Sequence, residues 1–150
     1  MLRRIHPAAG FVGFLTILAF WTSTVLVEAF GSHQAIASVK TGILWGMIVL
    51  IPALAITGAS GFRLAGPVTK GPVAAKKRRM PVIAANGIVI LIPCAVYLQS
   101  LATAGDFGTA FYAVQAVELV AGAVNLTLMG LNIRDGFRMT RGRRAMNMAV

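Results

Sequence analysis

Glu118 is the one acidic residue deep within a long apolar run of this 150-residue chain. It stands nine residues into the run 109–133, about 14 Å along a helix, and so near the middle of a hydrocarbon core about 30 Å thick. A carboxyl group there is costly unless it carries a proton, pairs with a cation or meets a ligand, and an intramembrane acid is by default a functional-site candidate. Gln115, Glu118, Gly122, Asn125 and Asn132 follow at intervals of 3, 4, 3 and 7, which places them on one helical face. Gln99 and Asn86, in the preceding apolar run, should lie near the depths of Gln115 and Asn125. Thr22, Ser23 and Thr24 should lie within a turn of Glu118. The expectation is an interior polar seam in which Glu118, Gln115, Asn125, Asn86 and Gln99 form an intramembrane site. For the Asn and Gln residues a purely structural use, helix-to-helix hydrogen bonding, is the favoured account.

Two histidines, His6 and His33, lie too far apart along the chain to share one metal or haem. His6, next to Arg3 and Arg4, is the candidate haem ligand, with Met80 or Met139 as a second ligand and the arginines for the propionates. Haem b is thus the cofactor to test, against an interfacial histidine with no ligand. Cys94 is the sole cysteine and has no metal-ligand spacing to any His; it should pack as a small hydrophobe. No nucleophile elbow, phosphate-binding glycine loop, HExxH or CxxC is present, which argues against a soluble-type active site.

These residues need elements to hold them. Apolar residues make up 57% of the chain and charged residues 12%, against about 25% charged in soluble domains. Four runs are long enough to cross a bilayer as helices: 7–30, 41–61, 81–104 and 109–133. Helix is the reading because backbone groups in lipid must bond within their own segment. The first run is longer than a signal-peptide core of roughly 7–15 residues and is read as a span. The mid-run prolines Pro52 and Pro93 each remove a backbone donor and free a carbonyl. Gly42 and Gly46, Gly10 and Gly13, and Gly122 mark close helix approaches, inside the molecule or between two copies. Trp21, Trp45, Tyr97 and Tyr112 suit an aromatic belt, and Glu28 and Asp106 are expected to be solvated, with a cap role for Asp106.

Of the 14 Lys and Arg residues, only Lys40 lies away from three segments: the start of the chain, the stretch 62–80 and the tail 134–150. By the positive-inside rule those segments are cytoplasmic. The expected architecture is therefore an all-α, four-helix up-down membrane bundle with both termini inside, a single domain, in a bacterial inner membrane. The stretch 62–80 reads as an irregular basic linker whose Lys76, Lys77, Arg78 and Arg79 bind anionic lipid headgroups. Charges beside spans need no nucleic-acid partner to explain them, and none is expected.

Ile5-His6-Pro7, Leu44-Trp45 and Ile51-Pro52-Ala53-Leu54 loosely resemble small four-helix haem-binding membrane proteins of the cytochrome b561-like and protoporphyrinogen-oxidase-like groups. The resemblance covers two spans and departs from the b561 pattern in lacking mid-helix histidines. It implies haem binding in a membrane redox setting. The chain is also similar to small multidrug transporters in having four spans, although those carry their acid in the first. With no catalytic set visible, the expected role is a subunit or scaffold of a larger membrane complex, redox-associated and binding haem or quinone, or a homodimer. The alternatives are a small proton-coupled transporter using Glu118 and a membrane redox enzyme.

Overall fold

The computed structural model describes residues 1–148; of Arg3 and residues 140–148 only the helical backbone is described. Among the described residues the chain is all-helical. Helix α1 runs Leu2–Phe30, α2 His33–Ala65, α3 Gly71–Asn86, α4 Ile92–Ala104 and α5 Thr109–Met148, and a π-helical turn, Gly87–Leu91, joins α3 to α4 without a break. Four helical stretches, Arg4–Phe30, His33–Ala65, Gly71–Ala104 and Thr109–Met139, are long and apolar enough to cross a membrane. Large apolar side chains such as Phe11, Ile48, Ile88 and Val120 are exposed along their length. A water-soluble monomer rarely carries so much apolar surface, and lipid is the solvent it fits.

The ends of the helices follow from local chemistry. Gly31 stops α1, and its N–H reaches Val27 O at 2.8 Å. Ser32 then caps α2, its hydroxyl accepting from Ala35 N. α2 stops before Gly66, whose φ of 51° is open to glycine and unfavourable for other residues, and Pro67 follows. Pro72 sits in the first turn of α3, where its missing N–H is no loss. Gly105, at φ 73°, ends α4, and the Asp106 carboxylate accepts from Gly108 N just ahead of α5.

The π-helical turn has a sequence cause. Pro93 has no N–H for Val89 O, and the bonding just before it shifts by one residue, with Ile92 N–H reaching Gly87 O. Pro52 is carried inside α2, and Pro7 and Pro81 inside α1 and α3.

Several expected boundaries move. The first connection is Gly31 and Ser32 alone, not residues 31–40, because Ser32 starts the helix early. The expected irregular linker 62–80 is mostly helix: α2 continues to Ala65 and α3 begins at Gly71, so Lys76–Arg79 stand on a helix. Proline at the head of α3 and an unbroken apolar continuation favour that helix over a loop. Of the basic tail, the side chains of Arg141, Arg143 and Arg144 lie outside the described residues.

α1 packs along α2 and α5, and α4 packs between α2 and α5. Small residues permit the approach. A side chain at Gly46 would run into the Phe20 ring, and one at Gly122 would come within 2.9 Å of Trp21. Gly42 faces open space. Ile36, Leu98, Ala102 and Phe111 make one core beside the α1–α2 and α4–α5 turns, and Ile17, Ile83 and Met129 make a second.

Candidate functional site

Glu118 has a partner that its neighbours in sequence do not reveal. The Lys40 ammonium donates to Glu118 Oε2 at 2.5 Å, and Gln115 Nε2 donates to the same oxygen at 3.0 Å. Lys40 is 1% exposed and Glu118 12%. The lysine expected on the outer surface is therefore an interior residue. The reason is the Ser32 cap, which begins α2 eight residues before the expected span and carries Lys40 two turns into the helix. A buried pair of this kind gains little over an apolar core, but breaking it by removing one member leaves an unpaired buried charge.

Glu28, near the end of α1, belongs to the same cluster, within electrostatic reach of Lys40, Glu118 and His33. Its Oε1 is buried without a hydrogen-bond partner, and so is Oε1 of Gln115. The expectation that Glu28 is simply solvated is thus corrected. His33, itself exposed, stacks on Phe107 at a centroid distance of 4.0 Å.

The Asn pair lies one level away. Asn86 Nδ2 donates to Asn125 Oδ1 and to Ala121 O, both at 2.8 Å, and Asn125 Nδ2 donates to Ile83 O at 3.3 Å. Asn125 is fully buried. These bonds tie α3 to α5 where the helix changes into its π-helical turn. Trp21, assigned to an aromatic belt on sequence, instead points inward and donates to Leu119 O at 3.0 Å. Trp45, Tyr97 and Tyr112 are exposed. Gln99 is partly buried, and its carbonyl accepts from Thr103 Oγ1; among the described residues its side chain makes no hydrogen bond to Gln115. Thr24 is buried, whereas Thr22 is exposed.

Between these groups lies a cavity of about 460 Å³. Its walls are almost wholly apolar: Ile17 and Phe20 from α1, Ile43 and Leu50 from α2, Ile83 and Leu91 from the α3–π segment, Leu119 from α5. The polar side chains that reach it are Trp21, Thr24, Glu118 and Asn125. Exposed Ile51, Phe62 and Ile88 line the same cavity, so it opens on the outside of the helices. Gly58 and Gly87 lie in its wall.

A second cavity, of about 370 Å³, lies near the other ends of the helices and is lined by His6, Gly61, Lys76, Met80 and Met139. Ser60 Oγ donates to Ile56 O at 2.5 Å, so the 3.0 Å bond between Ser60 Oγ and His6 Nδ1 is one in which Nδ1 donates. Nε2 of His6 is then the nitrogen left for a ligand. A Cβ on Gly61 would lie 3.0 Å from His6 Cε1 and 3.1 Å from Met80 Sδ, so the absence of a side chain there lets both approach the α2 backbone.

The basic tetrad divides. Arg79 donates to Asp135 Oδ2 at 2.7 Å and to Asn132 Oδ1 at 3.3 Å, and Arg134 holds the other Asp135 oxygen. Arg79 is thus engaged within the protein. Lys77 donates to Gly66 O, Lys76 lines the second cavity, and Arg78 is exposed. Cys94 is a free thiol, partly buried. Among the described residues no group of three or more His, Cys, Asp or Glu is placed to hold a metal ion.

Compared with known proteins, the chain matches no family model, no curated sequence and no solved structure.

Proposed function

We propose that the protein binds a quinone-class molecule taken from the bilayer, and does so as a small subunit of a membrane complex. The observation that carries this reading is the apolar cavity, open on the outer surface of the helices, with Glu118 at one end and Asn125 in its wall. Sites for small molecules are mainly apolar, with a few placed polar groups that fix orientation. A ring with polar oxygens and an apolar tail has the matching chemistry: the tail fills the Ile and Leu walls and the oxygens meet Glu118, Thr24 or Asn125. Lys40 and Gln115 both donate to Glu118 Oε2 and so hold its carboxyl group in position.

The orientation that accompanies this reading is up-down, with both termini on the cytoplasmic side of a bacterial inner membrane, supported by the bias of basic residues. Lys76, Lys77 and Arg78 then meet anionic headgroups.

The test uses the two tryptophans. Trp21 lines the cavity and Trp45 is exposed on α2. In a Trp45→Phe variant in lipid nanodiscs, decylubiquinone should quench Trp21 fluorescence along a saturating curve. Quenching that rises linearly with no plateau would reject the site. The partner half of the proposal is checked by mild-detergent purification from the native membrane, where recovery of the chain alone would reject it.

A second reading, haem at the basic end, is favoured by the placement of His6 and Met80 in the wall of the second cavity, both close to Gly61. Those two residues would hold an iron porphyrin, which would supply one-electron chemistry. Loss of a Soret band in His6→Ala, against its presence in the parent, tests this. The third, proton-coupled transport through Glu118, requires flux in liposomes that Glu118→Gln abolishes.

A further inference from the structure

The cluster at the α1–α2 turn does not balance. It holds two carboxyl groups, Glu28 on α1 and Glu118 on α5, and one ammonium, Lys40 on α2. The ammonium is committed to Glu118. The other groups facing it are uncharged or peripheral: Gln115 on α5, Cys94 on α4 within electrostatic reach of Glu118 and Lys40, and the exposed His33 on α2.

The hydrogen bonding is unbalanced in the same direction. Two acceptors, Glu28 Oε1 and Gln115 Oε1, are buried without a donor. Gln115 is 3% exposed. Its amide is not free to turn over, because the Nε2 end donates to Glu118. Buried acceptors without partners are costly and call for an explanation. The cluster thus lacks one positive charge and lacks a donor, and a proton supplies both.

We propose that this cluster is a proton-binding site in which Glu28 takes up and releases one proton. The step is Glu28 carboxylate plus one proton giving the neutral carboxylic acid. The new O–H adds a donor to a cluster in which two buried acceptors lack one. The proton comes from, and returns to, water at the α1–α2 turn, where Gly31, Ser32 and His33 are exposed. Glu118 already takes two donors, from Lys40 and Gln115, whereas Glu28 Oε1 is buried with none, so the proton is assigned to Glu28. The site goes beyond the ligand reading and needs no occupant of the cavity, so either can fail alone.

The experiment is pH-difference infrared spectroscopy of the full chain in lipid nanodiscs, without quinone. Glu28 and Glu118 are the only two glutamates in the chain, so carboxyl-¹³C glutamate labelling isolates them. Acidification should produce a protonated-carboxyl band of one equivalent that shifts with the label. The band should vanish in Glu28→Gln and persist in Asp106→Asn. A band that ignores the label, or that survives Glu28→Gln, overturns the proposal. So does its displacement by sodium at constant pH, which would make the site one for a metal cation. Should Glu28→Gln not fold, the labelled parent decides alone: no glutamate band between alkaline and acid pH refutes the site.

Discussion

Asp135 and Glu118 are both acids held by a basic side chain, and they differ in what surrounds the pair. At Asp135 both oxygens are used, one by Arg79 and the other by Arg134, and Asn132 takes a further bond from Arg79. At Glu118 two donors crowd onto one oxygen, a third residue, Glu28, brings a second carboxyl group, and Oε1 of Glu28 and of Gln115 are buried without a partner. The first arrangement is complete and stands beside other cations. The second is incomplete and borders an apolar cavity. The saturated pair acts as a clamp between α3 and α5. The unsaturated one keeps capacity for something further, which is why the functional reading is placed there.

The contrast can be broken most sharply at Lys40. Lys40→Met leaves Glu118 buried without its cation and should cost about 3–5 kcal/mol of unfolding free energy. Adding Glu118→Leu should recover most of that loss, because removing both charges of a buried pair is far less costly than removing one. Thermal unfolding of the single and double variants in detergent checks both. Equal damage in the two would show that the pair does not behave as a unit.

The Asn pair should come next. Asn125→Leu strips a bond from Ile83 O and leaves Asn86 one partner short, a loss of about 1–3 kcal/mol. The same unfolding assay measures it, and an unchanged midpoint would remove the Asn pair from the account of how α3 is held to α5.

The smallest effect belongs to the clamp. Arg79 is 22% exposed at its side chain, and Arg134 still serves Asp135 when Arg79 is lost. Arg79→Met should therefore cost roughly 1 kcal/mol, and added salt should reduce the difference from the parent. A loss as large as that of Lys40→Met would erase the distinction between the two regions.

Much of this was legible in the sequence, for reasons of scale. Spans are fixed by length and hydropathy, and Glu118 stood out because a charge in an apolar run is rare. Asn86 and Asn125 could be matched in depth by counting residues from opposite ends of neighbouring helices. The burial of Lys40 is not legible in the hydropathy of the run, because it depends on where α2 begins. Ser32, a capping residue ahead of an apolar run, carried that information: starting the helix there puts Lys40 two turns in. Glu28 reads as solvated because it lies two residues from the end of α1, and its nearness to Lys40 on α2 and Glu118 on α5 is a matter of packing that the sequence does not display. The π-helical turn was half legible. Pro93 announced a missing donor, but how the backbone would absorb it depends on packing around Gly87 that a single run of sequence does not specify.

The central claim, that the cavity below Glu118 holds a membrane-dissolved ligand, is tested most directly at Gly58. A Cβ added there meets nothing within 4 Å and Gly58 lines the cavity, so Gly58→Phe should take up cavity space, and leaving glycine inside a helix has no stability advantage to lose. In the Trp45→Phe background, decylubiquinone titration should show affinity at least about tenfold weaker in Gly58→Phe, a difference of about 1.4 kcal/mol, at an unchanged unfolding temperature. Saturable binding of equal affinity in both proteins would contradict the account.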